Sequence, residues 1–250
     1  MTDKLVSVII PTINGREHLL ERAVKSVKNQ TYKNVEIIIV NEGKPAQEQR
    51  NIGVGGANGE YIAFLDDDDY WVDKKYLETM ISYMERTKDM RKRKLAMLSC
   101  AYYDEKIGKI RVPKARNSTD LLISFSNFET SATVFRKDAY YDAGGLDIRF
   151  RSEQNHDLFY RISKVGKFGI IEKPMVVKGF IGSSIGTNRI NKIQGYVMFH
   201  WKFRKDILKL PVEKLLFVLL KFIITFTVFV TFPNIRSMLY EKVLTKIRGV

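Results

Sequence analysis

Two short apolar runs, LVSVIIP (Leu5–Pro11) and VEIIIV (Val35–Val40), flank an amphipathic stretch, and that arrangement leaves the chain few folds to choose from. Each run is rich in β-branched residues and bounded early, so each reads as a strand buried on both faces. Between them, in REHLLERAVKSVKNQ, residues Leu19, Leu20, Ala23, Val24 and Val27 recur at helical spacing. Strand, helix and strand at these distances make a βαβ unit, with parallel strands and a right-handed crossover. A third run, EYIAFL (Glu60–Leu65), adds to the sheet. The expectation is an α/β fold whose central sheet is mostly parallel and flanked by helices. KKYLETMISYMER predicts a further helix and KLAMLSCAYY a further strand. Beyond these, SATVFRK and GIIEKPMVV read as strands and DLFYRISKVG as a helix stopped by glycine.

The 250 residues suffice for one sizeable domain with a buried core, or one domain and an appendage. A single cysteine, Cys100, excludes an intrachain disulfide framework, suits a reducing compartment, and is expected in the core. The three histidines are too scattered for a zinc site. The opening MTDKLVSVIIPT is too short an apolar run for a signal peptide, so no secretory targeting is expected. The net charge is +14, and Gly195 to Val250 carries half of it: seven Lys and three Arg against three acids give +7. That segment and RTKDMRKRK (Arg86–Lys94) suit polyanions. No nucleic-acid motif accompanies them, so an anionic membrane surface is the expected partner and nucleic acid is not.

The chain changes character near Asn188, which divides it into 1–188 and 189–250. In the second part LLFVLLKFIITFTVFVTF (Leu215–Phe232) is almost wholly apolar. It is slightly short of the roughly 20 residues that span a bilayer, and Lys221 lies inside it. Lys214, Lys221 and Thr225 fall near one helical face, which favours a helix lying in the membrane interface. A span, a buried helix and an oligomer contact are the alternatives.

In GEYIAFLDDDDYW, four consecutive aspartates follow a strand. They sit at its C-terminal end, the edge at which open α/β sheets bind ligands. Carboxylates there suit hard divalent cations, Mn²⁺ or Mg²⁺. Asp66 with Asp68, or Asp67 with Asp69, has the Asp-x-Asp spacing. Capping the next helix through Asp69 or Asp73 needs one aspartate, not four. RNIGVGGANGE, just upstream, invites a dinucleotide-binding reading, but that fingerprint opens a helix and this stretch leads into a strand. Its glycines are expected at close approaches or helix ends. Trp71 is expected to pack, with stacking on a sugar as the alternative.

The blocks VSVIIPTIN, VEIIIVNEG, RNIGVGGANGEYIAFLDDDDYW, FRKDAYYDAGGLDIRF and EQNHDLFYRI resemble, in order and spacing, family 2 glycosyltransferases. The resemblance covers roughly Val6 to Arg161, and FIGSSIGTN extends it to Asn188. It implies the GT-A fold, a nucleotide-sugar-binding α/β domain. It implies an inverting transfer from a nucleotide-diphosphate sugar, expected to be a UDP-sugar, to a glycan or lipid-linked acceptor at the cytosolic face of the membrane. It places Pro11, Thr12 and Asn14 against the nucleotide base, Glu42 at the position that pairs with it, and Arg50 near the nucleotide. Asp66 and Asp67 would approach ribose and metal, and Asp68 would be the metal ligand. At the position of the family's general base stands Asn155, an amide that takes no proton. Glu153 and Asp157 are the neighbouring candidates. Glu153 is preferred, because Asp157 leads a block whose Leu158 and Ile162 are spaced to pack inward. The other reading is a catalytically silent GT-A domain that binds a partner.

Overall fold

The computed structural model describes residues 4–87, 95–124, 127–181 and 189–231. Most of the RTKDMRKRK cluster, most of FIGSSIGTN and the last residue of the apolar run lie outside them. The chain divides into two compact units, Met1–Ser184 and Ile185–Val250. The first contains, in order, β1 (Val6–Pro11), α1 (Glu17–Lys28), β2 (Val35–Val40), α2 (Ala46–Gly55), β3 (Tyr61–Phe64) and β4 (Tyr70–Trp71). There follow α3 (Tyr76–Arg86), β5 (Leu95–Asp104), β6 (Lys109–Arg111), α4 (Ser118–Ile123), β7 (Thr133–Arg136), α5 (Lys137–Asp142), α6 (Gln154–Val165) and β8 (Lys167–Lys178).

The strands form one sheet in the order β2-β1-β3-β7-β5-β8-β4, with β6 paired to β5. β1 is central to the first half and runs parallel to both β2 and β3, as its unbroken burial requires. The expected mostly parallel sheet is, however, mixed. β7 enters antiparallel between β3 and β5, and β4 and β6 are antiparallel to their partners, while β5 and β8 are parallel. Direction follows from β6: it turns back antiparallel to β5 along Tyr102–Asp104, and β7 continues along β5 in that same sense at Met97–Ser99.

Alternation along the strands sends side chains to two layers. Val6, Val8 and Ile10 of β1 join Ala23 and Val27 of α1 and Leu77, Met80, Ile81 and Met84 of α3 in one core, which also takes in Cys100 and Trp71. On the other face Phe64, Phe135 and Phe159 stand in ring contact at 5.7 and 5.8 Å, which fixes α6 to the sheet. The glycine-rich stretch turns out to be the end of a helix, α2. A Cβ on Gly53 would lie 2.4 Å from Ile9 Cγ2, so glycine there lets α2 approach β1.

The second unit contains α7 (Arg189–Lys202), α8 (Arg204–Ile207) and α9 (Val212–Thr231). Tyr196 of α7 stacks on Phe222 of α9 at 5.6 Å, beside His200 and the buried Phe199 and Val218. Among the described residues no helix is long and apolar enough to cross a membrane.

Candidate active site

The loops that leave the C-terminal ends of β1, β2 and β3 lie side by side because those strands are parallel and in register. Pro11 ends β1, and Thr12 turns inward to donate its hydroxyl to Asp67 Oδ2 at 2.8 Å. Arg16, at the start of α1, donates to the other oxygen of Asp67 at 2.9 Å. Asn41, after β2, donates to Asn14 at 2.7 Å, and Glu42 follows it in the exposed turn that leads to α2. From α2 the buried Arg50 pairs with Asp66. The sequence-derived nucleotide residues Pro11, Thr12, Asn14, Glu42, Arg50, Asp66 and Asp67 thus share one edge of the sheet.

The four aspartates have four different environments. Asp66 is held by Arg50 and by its own N–H, which donates to Ser131 Oγ at 3.1 Å. Asp67 is buried and fully engaged by Thr12 and Arg16. Asp69 is buried; one oxygen accepts from Gly179 N–H at 2.9 Å and the other has no partner. Asp68 is half-buried, and no hydrogen bond or ion pair from another described residue engages its carboxylate side chain. Its backbone carbonyl is fixed by Arg22 at 2.6 Å. Burial, together with the adjacent Asp66 and Asp67 carboxylates, pushes Asp68 up to about 6. Burial, with Asp66 and Glu129, holds Asp69 well above the usual carboxylate range.

Oxygens of Asp66, Asp69 and Glu129 lie within 4.8 Å of one another. Glu129 is itself paired with Lys178 at the end of β8. This cluster and Asp68 offer only hard oxygen donors, and the orphaned Asp69 oxygen lacks a proton donor or cation, so the donor set fits Mg²⁺ or Mn²⁺. Asp69 and Glu129 form the closed floor; Asp66 and Asp68 are the accessible rim. Glu129, Lys178, Arg16 and Arg22 escaped the sequence reading, since each reaches the turn from a distant part of the chain.

Residues 129–131 also carry the turn to the N-terminus of α6. Thr130 Oγ1 receives Asn155 Nδ2 at 3.5 Å, and Asn155 Oδ1 is buried without a partner. Glu153 caps α6 in the left-handed region, φ 63°. Asp157 is fully buried and accepts Arg161 Nε at 2.9 Å. Trp71 packs as expected, with its ring 4.6 Å from Tyr76 and its indole N–H donating to Ser131 O at 2.9 Å.

With this geometry in place, comparison with known proteins adds relatives. Residues 7–49 and 46–142 match the family model described as glycosyl transferase family 2. An uncharacterised glycosyltransferase of Methanocaldococcus jannaschii is 27% identical over 82% of this chain and 82% of its own length. The UDP-Glc:alpha-D-GlcNAc-diphosphoundecaprenol beta-1,3-glucosyltransferase of Escherichia coli is 34% identical over 34% of this chain, a match spanning 42% of that protein. The match thus spans less than half the length of that E. coli enzyme. Among solved structures, S. aureus TarS 1–349 in complex with UDP superposes with TM-score 0.61 over 88% of this chain and 70% of that one, at 14% identity. That last likeness is one of fold.

Proposed function

This chain belongs to glycosyl transferase family 2 and has its α/β, GT-A-like fold, and on that premise we propose that it is an inverting, metal-dependent glycosyltransferase. The donor is a nucleoside diphosphate sugar, of which a UDP-sugar is the first choice. The acceptor is a glycan or a lipid-linked sugar at the cytosolic face of a membrane. The names of the E. coli relative and of the UDP-bound structure support these assignments. The observation that carries the reading is the sorting of the aspartates: Asp67 is consumed inside the fold, while Asp68 stands half-exposed beside Asp66 at the ligand-binding edge.

Asp68 and Asp66 would hold the cation, with oxygens of Asp69 and Glu129 within 4.8 Å of an Asp66 oxygen. When bound, the cation offsets the negative charge that develops on the departing diphosphate. The chain's own part is positional. Thr12, Asn14 and Glu42 line the loop edge where the base would lie. Arg50 fixes the Asp66 carboxylate. The acceptor oxygen forms its bond to the anomeric carbon as the carbon–oxygen bond to the diphosphate breaks, and the acceptor proton passes to a base. Glu153 is the base we propose. The experiment is a thermal-shift screen of nucleoside diphosphates with and without Mn²⁺. At one hundred times Kd a ligand adds about 2.7 kcal/mol, so UDP with Mn²⁺ is expected to stabilise the chain clearly and UDP alone much less. No stabilisation by any nucleoside diphosphate would sink the proposal.

Asn155 favours a second reading, a GT-A domain that binds donor without turning it over, because an amide occupies the position where the family carries its base. Donor binding without hydrolysis or transfer would select it.

A further inference from the structure

In the second unit α9 is built inside out. Val212, Leu216, Leu219, Leu220 and Ile223 are exposed, Leu219 least at 49% and Val212 most at 71%. Lys221 and Thr225 are each only 2% exposed. At about 100° per residue the five apolar side chains fall within one arc of roughly 100°, and Val218, Lys221 and Thr225 lie opposite. A water-facing helix shows the reverse polarity. Among the described residues of this unit the exposed charges are mostly cationic: Arg204, Lys205 and Lys209 precede α9, Lys214 lies on the helix face opposite the apolar arc, and Glu213 is exposed beside the arc. Trp201, 68% exposed, carries Arg204 over its ring at 4.4 Å.

We propose that this stripe of α9 is a docking surface for an anionic lipid leaflet, with the apolar arc seated among the acyl chains and the flanking cations on the headgroups. An exposed aliphatic arc on a unit whose exposed charges are mostly Lys and Arg matches a negatively charged leaflet. Trp201 has the amphipathic ring that favours the headgroup level. A second copy of this chain fits worse. The arc from Val212 to Ile223, about three turns of one helix, falls short of the roughly 800 Å² per partner of a stable interface. The inference deepens the membrane-borne acceptor proposed above and rests on it. Lipid and nucleotide binding are measured separately, so the failure of one is distinguishable from the failure of the other.

The test uses the full chain with vesicles of phosphatidylcholine containing about one third phosphatidylglycerol, and with phosphatidylcholine alone. The wild type should co-sediment with the first and much less with the second. Raised salt should weaken that binding, and Trp201 emission should shift to the blue on the vesicles. Leu219→Gln with Ile223→Gln, both at exposed positions, should lower vesicle partition by about tenfold or more while leaving the response to UDP and Mn²⁺ unchanged. Lys209→Glu, which leaves the apolar arc intact, should weaken only the anionic component. Absence of wild-type binding, or equal binding by the double variant, overturns the proposal. A wild-type dimer that the double variant converts to monomer, without vesicle binding, overturns it in favour of a second copy.

Discussion

At the scale of single residues, four adjacent carboxylates need not share one job. The protein neutralises Asp67 internally, so Asp67→Ala should unfold more easily by about 1–3 kcal/mol, because it strands Arg16 and Thr12. Asp68→Ala, which breaks no contact within the fold, should keep wild-type denaturant stability yet lose the Mn²⁺-dependent response to UDP. An unchanged response in Asp68→Ala would move the cation to the Asp66, Asp69 and Glu129 cluster. The same contrast applies at α6. Glu153→Gln should lower turnover by roughly the hundred- to ten-thousand-fold ascribed to general-base catalysis, and Asn155→Asp should raise it or leave it unchanged. Full activity of Glu153→Gln would remove Glu153 from the mechanism. The aspartate turn was legible because clustered carboxylates after a strand are locally conspicuous. Which aspartate is free was not legible, since that depends on Arg16 and Thr12, more than fifty residues away in sequence.

At the scale of elements, the long β-branched strands and the amphipathic helices announced themselves. The exceptions were short or disguised. α2 carries glycines that depress helix propensity, and it survives by packing Gly53 against Ile9. Gly53→Ala should therefore destabilise the chain by about 1–3 kcal/mol in a denaturant titration, although alanine favours helix elsewhere. An unchanged or raised midpoint would show that Ile9 yields freely. β4 and β6 span two and three residues, too few for periodicity to register. In the α7–α9 pair, burial against Tyr196 and Phe222, with Lys221 nearby, pushes His200 down to about 4. Between that value and the ordinary 6.5 the unfolded chain binds a proton that the folded one refuses. The associated stability is complete above about pH 6.5 and should fall by about 3 kcal/mol as the pH drops toward 4. The difference between wild type and His200→Gln, followed by helical signal, isolates it; parallel pH profiles would refute it.

At the scale of the whole molecule, the site lies entirely within Met1–Ser184. A chain ended after Ser184 should bind UDP with Mn²⁺ about as tightly as the full chain. A large loss, measured by calorimetry on a folded truncate, would show that the second unit completes the site. The boundary near Asn188 rests on composition alone, while the compact units divide at Ser184. The insertion of β7 against the sheet's direction was not legible in the sequence, because a four-residue strand carries no local mark of its polarity. The strand order also has a consequence for how the site comes into being. The acidic turn is strung between β3 and β4, and among the described residues β4 pairs only with β8, Tyr70 opposite Val177 and Trp71 opposite Val176. Asp69 is then held by Gly179, at a spot where any Cβ would collide with Asp68 O. That loop closes over about a hundred residues, at an entropic cost that must be met before the turn is held. During synthesis the parallel β1–β2–β3 core can assemble early, whereas the far side of the turn acquires its anchor only when β8 has emerged. The far side of the acidic turn is thus anchored late in maturation, and a nascent chain that stops short of Met175 holds Asp69 without the segment that fixes it.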